Sequence, residues 1–340
     1  MIRIAVVGFG YWGPNLARNL LIPDRSELVA ICDTDSKQTH VAGTLYPNVR
    51  ISGSAEETIE ATDVDAIALA TPAQSHFELA LAALKAGKHV LISKPMTETS
   101  EQAAKLIEEA NRRGLVLLVD HTFVYSNAVR QVRASIRSGE IGDLYYYDSM
   151  RANLGRFRSD VSVLWDLALH DLSILDYVLD DARPLGVSVI GATHVAGSPE
   201  NLAFITLFLP KGALAHINVN WLAPVKLRQT LIAGSGKMIV YDELHPSEKL
   251  RIYDRGVELA HSDDVERRIG YRLGDMTAPR LTTGEALANE AAHFLDCIET
   301  GAKPVTGGTE ALRLIKLLES ATVSMRQRGR LIELPAGTGC

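Results

Sequence analysis

The rhythm of hydrophobic and polar positions changes near residue 120 of the 340-residue chain. Before that point, short apolar, β-branched runs alternate with segments of helical spacing. The runs read as strands at 2–7, 28–32, 66–70, 89–92 and 115–119, with a weaker one near Val49. Helix ends are marked between them: Ser54 and Glu57 have the spacing of a capping box, Gly87 follows an Ala-Leu-rich helix over 74–86, and Gly114 follows a helix over 100–113. Apolar strands alternating with helices predict an α/β domain over 1–121, built on a doubly wound parallel sheet.

After residue 122 longer strands take over, at 143–151, 184–195, 201–209, 213–221, 227–241 and 249–253. Few helices interrupt them. In 213–221, Ala-Leu-Ala-His-Ile-Asn-Val-Asn-Trp, apolar and polar residues largely alternate, which marks a sheet with one polar face. A helix is expected over 164–179, and two more over 285–300 and 309–328 close the chain. The expectation is an α+β domain over 122–340 with a large, mostly antiparallel open sheet. An open sheet face needs cover, so a homodimer or homotetramer formed through it is expected.

Composition narrows the class. The length exceeds what one core usually serves, and 46% apolar with 22% charged residues is ordinary for a globular protein. A net charge of -6 argues against a nucleic-acid partner. Cys32, Cys297 and Cys340 are far apart and in no ligand spacing, so neither a disulfide framework nor a metal site is expected. No run approaches about 18 apolar residues, and the chain starts in a strand whose glycines fall where an export signal would need its apolar core. The expectation is a cytoplasmic protein with no membrane partner.

Candidate chemistry begins with Gly8-Phe9-Gly10-Tyr11-Trp12-Gly13, a G-x-G-x-x-G spacing that joins the first strand to a helix containing Leu16, Ala17, Leu20 and Leu21. Pro14 falls in the first helical turn, where its missing N–H costs nothing. At such a joint the first glycine permits the turn, the second admits a pyrophosphate, and the third lets helix and strand pack closely. The same fingerprint calls for an acidic residue about 20 positions on, at the end of the second strand. Asp33 stands there. A carboxylate at that place accepts from the adenosine ribose and repels a 2′-phosphate, which favours NAD over NADP, although Lys37 is near enough in sequence to reach such a phosphate.

Two further segments, Ser93-Lys94-Pro95 and Asp166-Leu-Ala-Leu-His170, join the glycine segment in resembling the Gfo/Idh/MocA oxidoreductases, the glucose-fructose oxidoreductase and inositol dehydrogenase family, over essentially the whole chain. The resemblance implies a Rossmann-type first domain and an NAD-dependent dehydrogenase of a sugar, inositol or nucleotide-linked sugar. It places Lys94 between nicotinamide and the reacting hydroxyl. The family motif is usually Glu-Lys-Pro, so Ser93 departs from it while Lys94 and Pro95 match. Asp166 and His170 share one helical face, and a carboxylate one turn from an imidazole can orient it as a general base. Ala168 replaces the glycine of the family's Asp-x-Gly-x-His.

Further assignments follow, those of residues 71–76 and 121 from the same resemblance. Thr71, Pro72 and His76 match a segment that lines the cofactor, or His76 is an exposed helix histidine. His121 lies near the site, or is a satisfied histidine at the domain junction. Tyr125 and Asn153 are candidate substrate contacts. Arg151, Arg156 and Arg158 form a cluster suited to the diphosphate of a nucleotide sugar, or to salt bridges at a subunit interface. The reading is hydride transfer between a secondary alcohol carbon and nicotinamide, with His170 or Lys94 taking the proton. The alternatives are a glycosidase using NAD transiently and a non-catalytic NAD-binding regulator.

Overall fold

The computed structural model describes residues 1–155, 157, 161–180, 183–259 and 269–335. By its contacts the chain forms two compact units: Met1–Ser126 with Gly284–Lys316, and Asn127–Thr283 with Leu317–Cys340.

The first unit holds strands β1 (Ile2–Val7), β2 (Ser26–Cys32), β3 (Arg50–Ser52), β4 (Ala66–Leu69), β5 (His89–Ser93) and β6 (Leu117–Asp120). They form one parallel sheet in the order β3-β2-β1-β4-β5-β6. Helices α1 (Gly13–Asn19), α2 (Ser36–Leu45), α3 (Ala55–Glu60), α4 (Ala73–Lys85) and α5 (Ser100–Arg113) connect them. Local chemistry sets the helix starts. Asp35, Ser54 and Thr99 each accept a backbone N–H from the first turn that follows, satisfying donors a helix cannot pair internally. Strands β1 and β4 are buried almost throughout, as the apolar runs require.

One feature departs from the expected boundary. Helix α8 (Ala286–Thr300) belongs to the first unit, where Leu287, Ala291, Phe294, Leu295 and Cys297 share a core with Ile4, Val6, Leu16 and Ile31. The edge strand β6 is also closed off: Val119 N donates to Thr306 O at 2.8 Å, and Thr306 Oγ1 donates back to Val119 O at 2.7 Å.

The second unit contains helices α6 (Asn127–Arg137) and α7 (Leu169–Leu179) and strands β7 (Leu144–Leu154), β8 (Gly186–Ala192), β9 (Leu202–Phe208), β10 (Leu214–Asn220), β11 (Leu222–Gly234), β12 (Met238–Asp242), β13 (Leu250–Leu259), β14 (Ile269–Thr277) and β15 (Ile332–Glu333). Helix α9 (Gly308–Arg326) is divided between the units at Lys316. The nine strands run in the order β14-β13-β12-β11-β7-β10-β9-β8-β15, antiparallel except for the pair β7·β10. The strand expected over 227–241 is two strands, because Gly234-Ser235-Gly236 turns the chain between β11 and β12. Strand β14 and helix α6 lie where the sequence pattern marked no element.

Candidate functional site

All six strands of the first unit are parallel, so β1, β4, β5 and β6 deliver Gly8, Thr71, Lys94 and His121 to one edge of the sheet. The strand order reverses direction between β1 and β4. Ligands of open α/β sheets bind at that switch point, outside the carboxyl ends of the strands.

The glycine segment fits a dinucleotide residue by residue. Gly8 has φ +92°, and a Cβ there would come within 2.7 Å of the Ala70 carbonyl, so both its backbone and its packing demand glycine. A Cβ on Gly13 would lie 2.1 Å from Gly8 O, which fixes the close approach of α1 to β1. A Cβ on Gly10 meets nothing within 4 Å. The second glycine is therefore not required by the protein's own packing, and its bare, exposed backbone leaves room for a pyrophosphate. Phe9 is buried and sits edge-on to Tyr46, so it serves the site through its main chain. Its N–H donates to Asp33 Oδ2 at 2.6 Å, while Asp35 N donates to Oδ1 at 2.8 Å. Both oxygens of Asp33 are thus held in place, a fixed acceptor pair for a ribose diol and a fixed charge against a phosphate. Tyr11 is exposed and stacks on Trp12.

At the next strand ends, His76 is buried in α4 rather than exposed. Nδ1 lies 2.8 Å from Pro95 O and Nε2 lies 2.8 Å from Thr71 O, so the ring ties the loop after β4 to the loop after β5. Burial pushes its pKa down. Ser93 Oγ lies 3.3 Å from the same Nε2, so the residue replacing the family's glutamate leans on His76. Thr71 Oγ1 accepts from Ser75 Oγ at 2.8 Å. Pro72 occupies the position just before α4 and makes no side-chain capping bond there.

Lys94 is half-buried beside His121. His121 is 2% exposed, and among the described residues neither ring nitrogen has a hydrogen-bond partner. Burial, and then the charge of Lys94, drive its pKa down to about 3. A neutral imidazole thus lies beside the lysine.

Sequence reasoning missed the carboxyls behind this pair. Asp120, at the end of β6, accepts from Trp12 Nε1 at 2.5 Å, from Thr122 N at 3.1 Å and from Thr122 Oγ1 at 2.5 Å. Glu290 on α8 is fully buried. A signal existed: Glu290 interrupts the apolar stripe of Leu287, Ala291 and Phe294. Tyr125 is 1% exposed with its hydroxyl 2.8 Å from Thr306 Oγ1, so it is a core residue and its substrate assignment is withdrawn.

In the second unit, Asp166 lies in a single π turn, Leu164–Ala168, and His170 in the first turn of α7. The expected α-helix over 164–179 is therefore wider at its start; in such a turn a separation of four still nearly completes one revolution, so the two remain close to one face. Both are half-buried. Asn153 is half-buried on β7. Arg156 and Arg158 lie outside the described residues. Arg151 is 3% exposed; Nε donates to Asp171 Oδ2 at 2.6 Å and Nη1 lies 3.5 Å from Glu243, which also pairs with Arg228. The diphosphate role proposed for Arg151 gives way to a buried ion-pair cluster. Burial pushes the Asp171 carboxyl up, against the pull of Arg151.

Two family models match: an oxidoreductase family with an NAD-binding Rossmann fold over residues 2–121, and the Gfo/Idh/MocA C-terminal domain over 129–240. An uncharacterized oxidoreductase of Escherichia coli K12 is 30% identical over 97% of this chain and 98% of its own. The chain belongs to the Gfo/Idh/MocA oxidoreductase family. Among other relatives, D-apiose dehydrogenase of Paraburkholderia graminis is 25% identical, covering 97% of this chain and 89% of its own. UDP-N-acetylglucosamine 3-dehydrogenase of Acidithiobacillus ferrooxidans is 28% identical, covering 87% and 88%. A solved structure of the latter superposes with a TM-score of 0.80 at 26% identity, covering 96% of this chain and 98% of that one. The protein is accordingly an oxidoreductase with an NAD-binding domain.

Proposed function

We propose that the protein is an NAD-dependent dehydrogenase or ketoreductase that moves hydride between a secondary alcohol carbon of a sugar or nucleotide-linked sugar and nicotinamide. The observation that carries this reading is Lys94, half-buried at the carboxyl end of β5 beside a buried neutral imidazole. The sugar class rests on the relatives named above. Bound NAD supplies the hydride acceptor at nicotinamide C4. Gly8, Gly10, Gly13 and Asp33 hold the dinucleotide. Lys94 exchanges the hydroxyl proton and stabilises the oxygen as charge develops on it. His170, oriented by Asp166, is the second candidate proton carrier, and Asn153 is a candidate substrate contact. We further assign the protein to the cytoplasm as a homo-oligomer.

A panel of free sugars, polyols and nucleotide sugars, incubated with the protein and NAD while reduced-cofactor absorbance is followed, tests the reading. Net reduction with one member supports it. Cleavage of a glycoside without net reduction points to transient use of NAD instead, and tight NAD binding with no turnover of any member points to a regulator.

A further inference from the structure

Three observations in the first unit converge behind the glycine segment. The first is burial with little compensation: Glu290 is 0% exposed, and among the described residues neither of its oxygens makes a hydrogen bond of regular geometry, although the His121 backbone lies close enough to favour its charged form. An ionised carboxylate in that state would be a bare charge in the core, which costs far more than burying the neutral acid. The second is its neighbour. Burial, and then the charge of Asp120, push Glu290 well above the usual carboxylate range. The third is what Asp120 does with its own oxygens: it anchors the indole N–H of Trp12, the fifth residue of the Gly8–Gly13 segment, to the end of β6.

We propose that Glu290 and Asp120 share one proton, held on Glu290, and that this buried pair positions the Trp12 loop for the dinucleotide. A carboxylic acid supplies a donor between the two carboxyls, and an ionised Asp120 is the acceptor beside it. Held in this way, Asp120 keeps a full negative charge for the Trp12 N–H and for Thr122, and only one charge is buried where two carboxyls meet. Glu290 is a positioning residue. It acts through Asp120 on a loop that the family uses for NAD, and the inference is independent of which group carries the reaction's proton.

Around the pair, the Tyr125 hydroxyl feels the charge of Glu290, Cys297 on α8 acts on Tyr125, His293 on the same helix has its ring 5.6 Å from that of Tyr125, the His121 backbone approaches Glu290, and Lys94 stands beside the His121 ring. Burial, Glu290 and Cys297 all push Tyr125 upward, so it stays neutral. Burial lifts Cys297 to about 11 and His121 sits at about 3, while Glu290 is raised well above the usual carboxylate range.

The sign of the pH effect follows. Glu290 has a higher pKa folded than unfolded, so its contribution is fully present below the ordinary glutamate value of about 4.5 and is lost as pH rises toward the folded value. Glutamine keeps the neutral, donating shape at every pH. The stability of Glu290→Gln relative to wild type should therefore grow as pH rises above about 4.5, measured by urea unfolding of the NAD-free protein. In NAD titrations, Glu290→Gln should stay within about twofold of wild type, while Glu290→Ala and Trp12→Phe should each weaken NAD about tenfold. A stability gap between Glu290→Gln and wild type that does not change with pH overturns the proposal, whether or not the alanine variant folds. So does a glutamine variant that loses NAD affinity as alanine does. Failure of wild type itself to bind NAD would count against the cofactor reading, while the pH-dependent gap would still decide the shared proton.

Discussion

Asp33 makes the clearest prediction at the scale of one residue. Its two oxygens are fixed by Phe9 N and Asp35 N, so the carboxylate cannot swing away from a 2′-phosphate. NAD should bind at least tenfold more tightly than NADP, about 1.4 kcal/mol, and Asp33→Ala should narrow that gap when both cofactors are titrated. Equal affinities in wild type would remove Asp33 from this role. Single residues with a motif around them were legible in the sequence: Gly8, Asp33 and Lys94 all lie at strand ends as the pattern required. Residues whose meaning depends on burial were not. Nothing local distinguishes Arg151 in a buried ion pair from an arginine aimed at a diphosphate, and Tyr125 reads as a contact until its hydroxyl is seen on Thr306.

Strand, turn and helix together explain why two glycines of one motif should behave differently when mutated. Gly13→Ala drives a Cβ into Gly8 O and should destabilise the first unit by more than about 1 kcal/mol, read as a lower unfolding midpoint. Gly10→Ala meets no protein atom, so its unfolding midpoint should match wild type while NAD affinity falls. In the second unit, Arg151 ties β7 to the first turn of α7, next to His170. Arg151→Met should cost roughly 3–5 kcal/mol in urea unfolding, because it strands the buried Asp171 charge, and adding Asp171→Leu should recover part of that loss. The parallel sheet was legible because each strand is a self-contained apolar run. The merged strand over 227–241 was misread because β11 and β12 are both apolar and their turn is only three residues long. Strand β14 was missed although Ile269, Tyr271 and Leu273 alternate with Gly270, Arg272 and Gly274, because the two glycines lower its strand propensity.

For the whole molecule, the chain's order in sequence is a poor guide to its division into units. Helix α8 follows all but the last strand of the second sheet in sequence yet packs with Ile4 and Leu16, a long-range pairing that no local periodicity announces. The sheet of the second unit leaves Phe204 39%, Phe208 38% and Leu214 44% exposed along neighbouring strands β9 and β10. Such an apolar patch suits a second copy of the chain. Sedimentation should find a homo-oligomer, and Phe204→Asp with Leu214→Asp should shift it toward monomer; a monomeric wild type would contradict the assignment. The central claim, that Lys94 carries the proton of an NAD-linked hydride transfer, is tested most directly by one comparison. With the substrate found in the panel, the hydride step of wild type and Lys94→Ala should be followed in a single turnover by reduced-cofactor absorbance. The account predicts a step slowed by about 10²-fold or more with NAD affinity nearly unchanged. A Lys94→Ala enzyme that transfers hydride at close to the wild-type rate would contradict it.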